Sequence, residues 1–249
     1  MLGLMIHSAG APSQPLQYFL APGYGIASKS LVGLADVRYK IYPGGLFPKI
    51  TVGVSAKTFH FNQNIGLDYR LKMARIVPQV RFELPDKSVS FRHFLNFRVL
   101  FLDQENAQFD GSGFVGKAHE KTTIFETRYE AREKRSPNPW QLKAVLENSS
   151  NYKSIFGETA PYVRGTFEWR QEFYYQRSRR ITARFFAGAF LENTRRNRSV
   201  EANALALNPQ GFNDYKFDQV FFARNALGGV FSRQITQTDG GFKGEIGRA

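Results

Sequence analysis

The stretch Tyr162-Val163-Arg164-Gly165-Thr166-Phe167-Glu168-Trp169-Arg170-Gln171-Glu172-Phe173-Tyr174-Tyr175 changes character at every second residue. Val163, Gly165, Phe167, Trp169, Phe173 and Tyr175 fall on one side, with Gln171 as the polar exception. Arg164, Thr166, Glu168, Arg170 and Glu172 fall on the other. A strand sends successive side chains to opposite faces, whereas a helix repeats every ~3.6 residues, so this is a strand with one greasy and one charged face. Residues 180–192 repeat the design: Ile181, Ala183, Phe185, Ala187, Ala189 and Leu191 against Arg180, Thr182, Arg184 and Glu192. The polar turn Gln176-Arg177-Ser178-Arg179 joins the two into one long hairpin.

The same alternation recurs upstream. Phe91, His93, Leu95, Phe97, Val99 and Phe101 alternate with Arg92, Asn96 and Arg98; Phe125, Thr127 and Tyr129 with Glu126, Arg128, Glu130 and Arg132; Trp140, Leu142, Ala144 and Leu146 with Gln141, Lys143 and Glu147. Ile50, Val52, Val54 and Ala56, and Ala35, Val37, Tyr39 and Ile41, continue it towards the N-terminus. About twelve strands are expected, near 2–8, 16–27, 31–42, 48–58, 70–83, 89–102, 122–134, 140–149, 162–175, 181–192, 216–224 and 228–238. Soluble strands are typically ~5–6 residues long, whereas a tilted membrane strand needs ~9–11, and several of these are longer still. From residue 60 onward, expected long connections (60–69, 103–121, 149–161, 193–215) alternate with short ones (84–88, 135–139, 176–179). Outer-membrane barrels have long extracellular loops and short periplasmic turns. The expected fold is therefore all-β, a single antiparallel up-and-down transmembrane β-barrel over residues 1–249, in a bacterial outer membrane.

Composition agrees. The chain has 249 residues, enough for one large all-β domain, and no cysteine, which excludes disulfides and thiolate metal sites. It has no apolar run of ~18 residues, which excludes a helical membrane protein and leaves a barrel, whose apolar residues alternate with polar ones. Phe is abundant at 24, and aromatic residues favour strands and the lipid–water boundary. The apolar start, residues 1–6, is too short for a secretory signal and lacks a basic region, so a fragment of a longer chain is expected. The competing fold is a soluble sandwich or lipocalin-like barrel with the apolar face inward, and alternation alone does not say which face is inside. Arg164, Glu168, Arg170 and Glu172 are expected to line the barrel interior opposite Arg180 and Arg184, mainly as cross-strand pairs. A net positive interior favouring anions is the weaker reading of the same residues.

No catalytic, cofactor-binding or metal-binding residue is assigned. His119-Glu120 starts like the zinc helix H-E-x-x-H, but position 123 is Thr and the segment reads as a strand. His7, His60 and His93 lack ligand spacing. Asp103, Glu105 and Asp110 are a minor candidate for calcium on the expected 103–121 loop. The +13 charge raises nucleic-acid binding, yet the aromatics lie opposite the strand arginines and cannot stack bases beside them. Arg177, Arg179 and Arg180 read as solvated turn residues. Outer-membrane lipid is the expected partner, with lipopolysaccharide a further one at Arg195-Arg196-Asn197-Arg198.

The order of segments carries a resemblance. Leu2-Gly3-Leu4, Tyr18-Phe19-Leu20-Ala21-Pro22-Gly23-Tyr24-Gly25, Leu31-Val32-Gly33, Tyr42-Pro43 and Val52-Gly53-Val54-Ser55 come first. Phe185-Phe186-Ala187-Gly188-Ala189-Phe190, Gly211-Phe212-Asn213-Asp214-Tyr215, Phe222-Ala223-Arg224-Asn225, Ser232-Arg233-Gln234 and Asp239-Gly240-Gly241-Phe242-Lys243 follow. Over nearly its whole length the chain resembles the C-terminal membrane barrel attached to some Bacteroidota zinc aminopeptidases of the gluzincin type. The resemblance implies a non-catalytic membrane anchor or translocator for an upstream metallopeptidase domain, and further strands beyond residue 243. Neither H-E-x-x-H nor its downstream Glu is present, so no catalytic residue carries over. A sheet left open in this way would not insert stably alone. The alternatives are a transport or assembly barrel for a solute, lipid or protein, and a soluble β-sheet binding module.

Overall fold

The computed structural model describes residues 2–8, 14–26, 28–64, 69–86, 90–111, 113–134, 137–153, 159–176, 179–193, 207, 214–218, 220–222 and 235–237. These form strands, with no helix among them: β1 (Leu2–Gly3), β2 (Ile6–His7), β3 (Leu16–Gly25), β4 (Ser30–Ile41), β5 (Lys49–Asn64), β6 (Tyr69–Glu83), β7 (Phe91–Asp110), β8 (Gly113–Glu133), β9 (Trp140–Ser149), β10 (Tyr162–Gln176), β11 (Arg179–Asn193), β12 (Val220–Phe222) and β13 (Ile235–Gln237). β1 and β3 to β11 lie side by side in chain order, each antiparallel to its neighbour, and β2 adds to β3. The sheet is an up-and-down meander of ten strands. Among the described residues the sheet runs continuously from β1 to β11, and β11 does not pair with β1, β2 or β3.

The strand count of about twelve is corrected at both ends. Residues 2–8 form two short pieces. In their shared register with β3, Leu4 faces Pro22, which has no N–H to complete the ladder. Residues 216–224 are not one strand: Phe217 has φ +53°, outside the β region, and its N–H donates to Asp214 O (3.0 Å) in a turn. β12 and β13 pair only with each other, and the rest of 228–238 lies outside the described residues.

Two expected loops are also corrected. Residues 103–110 and 113–121 are strand, because β7 and β8 pair out to Asp110 and Gly113, where Gly113 takes φ +128°. β5 likewise runs on to Asn64. One end of the sheet therefore carries long hairpins and the 150–161 connection. The other is where β4 passes to β5, β6 to β7, β8 to β9 and β10 to β11.

Register turns the alternation into two faces. One row across nine strands reads Leu16, Tyr39, Val52, Val80, Phe97, Thr127, Leu146, Gly165 and Ala189. A second reads Ile41, Ile50, Phe82, Leu95, Tyr129, Ala144, Phe167 and Ala187. Neither contains a charge. This face is outside: Phe97 is 43% exposed and Phe125 52%. The opposite face is covered: Arg98 is 9% exposed, Glu126 2%, Glu147 1% and Arg164 2%. The exposed face is therefore apolar, while the covered face carries both buried charges and the apolar cluster of Val32, Phe59, Met73, Val77, Leu100 and Ile124.

Candidate functional site

Among the described residues, the turn Asp214, Tyr215, Lys216, Phe217 and Asp218 covers the middle of the polar face. It meets six adjacent strands. Lys57 of β5 donates to Phe217 O (3.3 Å) and Asp218 O (3.1 Å), and Arg75 of β6 to Lys216 O (2.7 Å). At the far side, the Arg164 guanidinium of β10 lies 5.4 Å from the Tyr215 ring centre. Six flat strands would span about 24 Å. The sheet curls around the turn, and its polar face is the concave one.

The charges form a chain of alternating sign. Arg75 Nη1 meets Asp218 Oδ1 (2.8 Å), and Asp218 Oδ2 meets Arg98 Nη2 (2.5 Å). Arg98 Nε and Nη2 make a forked pair with Glu126 (both 2.7 Å). Lys216 Nζ bridges Glu126 (2.6 Å) and Glu147 (2.8 Å), and Arg164 Nη2 closes on Glu147 (2.8 Å). Glu126 and Glu147 face each other directly in register, a repulsive arrangement that Lys216 neutralises. Tyr162 and Tyr215 both donate their hydroxyls to Glu147 Oε1. Buried charges are tolerated only when paired and hydrogen-bonded, and these are. Above them, Phe217 packs on Phe59 and Phe61 beside Met73, Val77, Leu100 and Ile124.

The sequence placed several of these residues correctly. Arg164 does line the covered face, with Glu147 as partner. Glu168 pairs with Arg184 (2.7 Å) and Glu172 with Arg180 (2.9 Å) across the β10–β11 hairpin. It missed the turn, because Tyr215, Lys216, Phe217 and Asp218 mimic strand alternation. His119 and Glu120 lie on β8. Asp103 and Glu105 are not on a loop but on β7, paired with His119 (2.9 Å) and Lys117 (3.0 Å). Among the described residues no three metal-ligating side chains group together. Arg177 and Arg195 to Arg198 lie outside the described residues.

The outer face has edges. On β7 the outward positions from Phe91 to Phe101 carry no acid, Lys or Arg; above them Asp103, Glu105, Lys117, His119 and Lys121 bring charge to that face. At the opposite margin aromatic rings gather: Phe91 against Trp140 (5.7 Å between centres) and His93 (5.1 Å), and Phe47 against Phe82 (4.9 Å). Between these margins Ala144, Gly165, Ala187 and Ala189 floor an apolar groove of about 530 Å³, rimmed by Tyr129 and Phe167. No family model, curated protein or solved structure matches the chain.

Proposed function

We propose that this chain is a lipid-facing wall of an outer-membrane β-barrel, acting as a membrane anchor and not as a catalyst. The observation that carries the reading is the exposed apolar face opposite a face that buries charge, Arg75, Arg98, Glu126, Glu147 and Arg164 beside a small apolar cluster. The two charge-free rows and their neighbours cover roughly 40 by 20 Å at ordinary strand spacings, about 800 Å². Soluble monomers rarely expose more than ~300–600 Å² of contiguous apolar surface. The span fits a bilayer as well. Residues 91–101, 163–173 and 181–191 each give eleven positions of outward apolar pattern, against the ~9–11 a tilted strand needs. The aromatic margin corresponds to an interfacial girdle, and the shallow groove suits an acyl chain.

Anchoring is favoured over solute transport because the turn at 214–218 lies across the concave face from β5 to β10 at the level of the ionic chain. A soluble module would turn its apolar face inward, the reverse of the arrangement here. Attachment to an upstream zinc aminopeptidase domain rests on the sequence resemblance. Fractionation of cells making the natural full-length protein tests the anchor. The protein is expected in the outer-membrane fraction, resistant to urea and alkaline extraction, whereas recovery from the soluble fraction would contradict the reading.

A further inference from the structure

Below the neutralised ionic chain, one row of the polar face has no acid in it. In register across β7 to β11 it reads Arg92, Arg132, Gln141, Arg170 and Arg184. Arg92 directly faces Arg132, and Arg170 directly faces Arg184. Like charges in direct register repel, and a protein keeps them only with compensation. The outer two have it, since Arg92 meets Glu83 (3.3 Å) and Arg184 meets Glu168 (2.7 Å). The inner two do not. The Arg132 guanidinium lies 5.3 Å from the Phe94 ring centre, and among the described residues it has no ion pair and its buried Nε no acceptor. Arg170 is exposed, with no hydrogen bond or ion pair among the described residues. Lys143, two residues from Gln141 on the same face of β9, is not part of this unpaired set: it stands in direct register between Glu130 and Glu168.

From this placement we infer that Arg132 and Arg170, with Gln141 between them, bind a phosphate group on the polar face at the short-turn end of the sheet. Arg132 and Arg170 stand on either side of β9, ~10 Å apart at the backbone, within reach of one ligand for two long side chains. Planar guanidinium forks match phosphate oxygens two at a time, and the Gln141 amide supplies a further donor. The site needs no membrane; it follows from the register of the polar face and stands apart from the anchor reading.

The test is thermal unfolding of the detergent-solubilised protein with two probes: inorganic phosphate, and nanodiscs containing phosphatidic acid. Inorganic phosphate is expected to raise the unfolding midpoint saturably, while chloride at equal ionic strength does not. The Arg132→Gln/Arg170→Gln pair should abolish that rise and, by relieving repulsion, leave the phosphate-free midpoint unchanged or higher. If the pair fails to fold, Arg170→Gln alone, at an exposed and unpartnered site, should weaken phosphate binding at least several-fold. A response confined to phosphatidic acid and lost in the variants would assign the same site to a lipid headgroup. An equal effect of chloride, no response to either probe, or a response that survives both substitutions would overturn the site.

Discussion

Lys216 joins two carboxylates that would otherwise oppose each other. Glu126 and Glu147 are 2% and 1% exposed, and the lysine ammonium reaches both. Removing one partner of a buried ionic network leaves charge without compensation, at about 3–5 kcal/mol, whereas an exposed pair is worth ~0–1 kcal/mol. Lys216→Met keeps the length and removes the charge. It is expected to cost about 3–5 kcal/mol in a urea titration of the folded protein, with part of the loss recovered when Glu147→Gln is added. A loss below ~1 kcal/mol would mean that the turn does not sit on the polar face. The sequence concealed this site for a physical reason. Its contacts join residues 69 and 90 positions apart, and period-two spacing at 215–218 gives no sign of the positive φ at Phe217 that makes the segment a turn.

At the scale of elements, the β10–β11 hairpin was legible almost to the residue, as 162–175 and 181–192 against Tyr162–Gln176 and Arg179–Asn193. The upper β7–β8 hairpin was not. Period-two reading depends on one greasy face, and beyond Phe101 both faces turn polar, as a strand projecting past a bilayer would. This outer hairpin is held by its own charges. Glu105 accepts the Lys72 N–H (2.8 Å) and Lys117 Nζ (3.0 Å). Burial alone would raise its pKa; the backbone N–H and the ammonium outweigh burial and hold it below the usual carboxylate range. An acid depressed by folding adds stability above its unfolded value of ~4.3, and that stability is lost as pH falls through its lower folded value. Hydrogen-exchange protection of the Lys72 amide should therefore hold at neutral pH and fall in acid below about pH 4, and Lys117→Ala should move the fall to higher pH. Protection that does not change with acid would remove Glu105 from that role.

At the scale of the whole molecule, alternation predicted two unlike faces but not which one is covered. That choice belongs to tertiary structure: a sheet curls towards the face it can pack against, and here the 214–218 turn packs on the charged one. Curvature, burial and the charge boundary at Asp103 and Lys121 then agree on an apolar exterior, and that is the central claim. The absence of cysteine makes it directly measurable, because a single cysteine can be placed anywhere and labelled with bimane. Labels at Phe97, Leu146 and Phe167 report the outer face, and labels at Gln141 and Thr166 the concave face. In the natural full-length protein reconstituted into brominated-lipid vesicles, the account predicts strong quenching at the first three positions and little at the last two. Quenching on the concave face alone, or at none of the five positions, would contradict it.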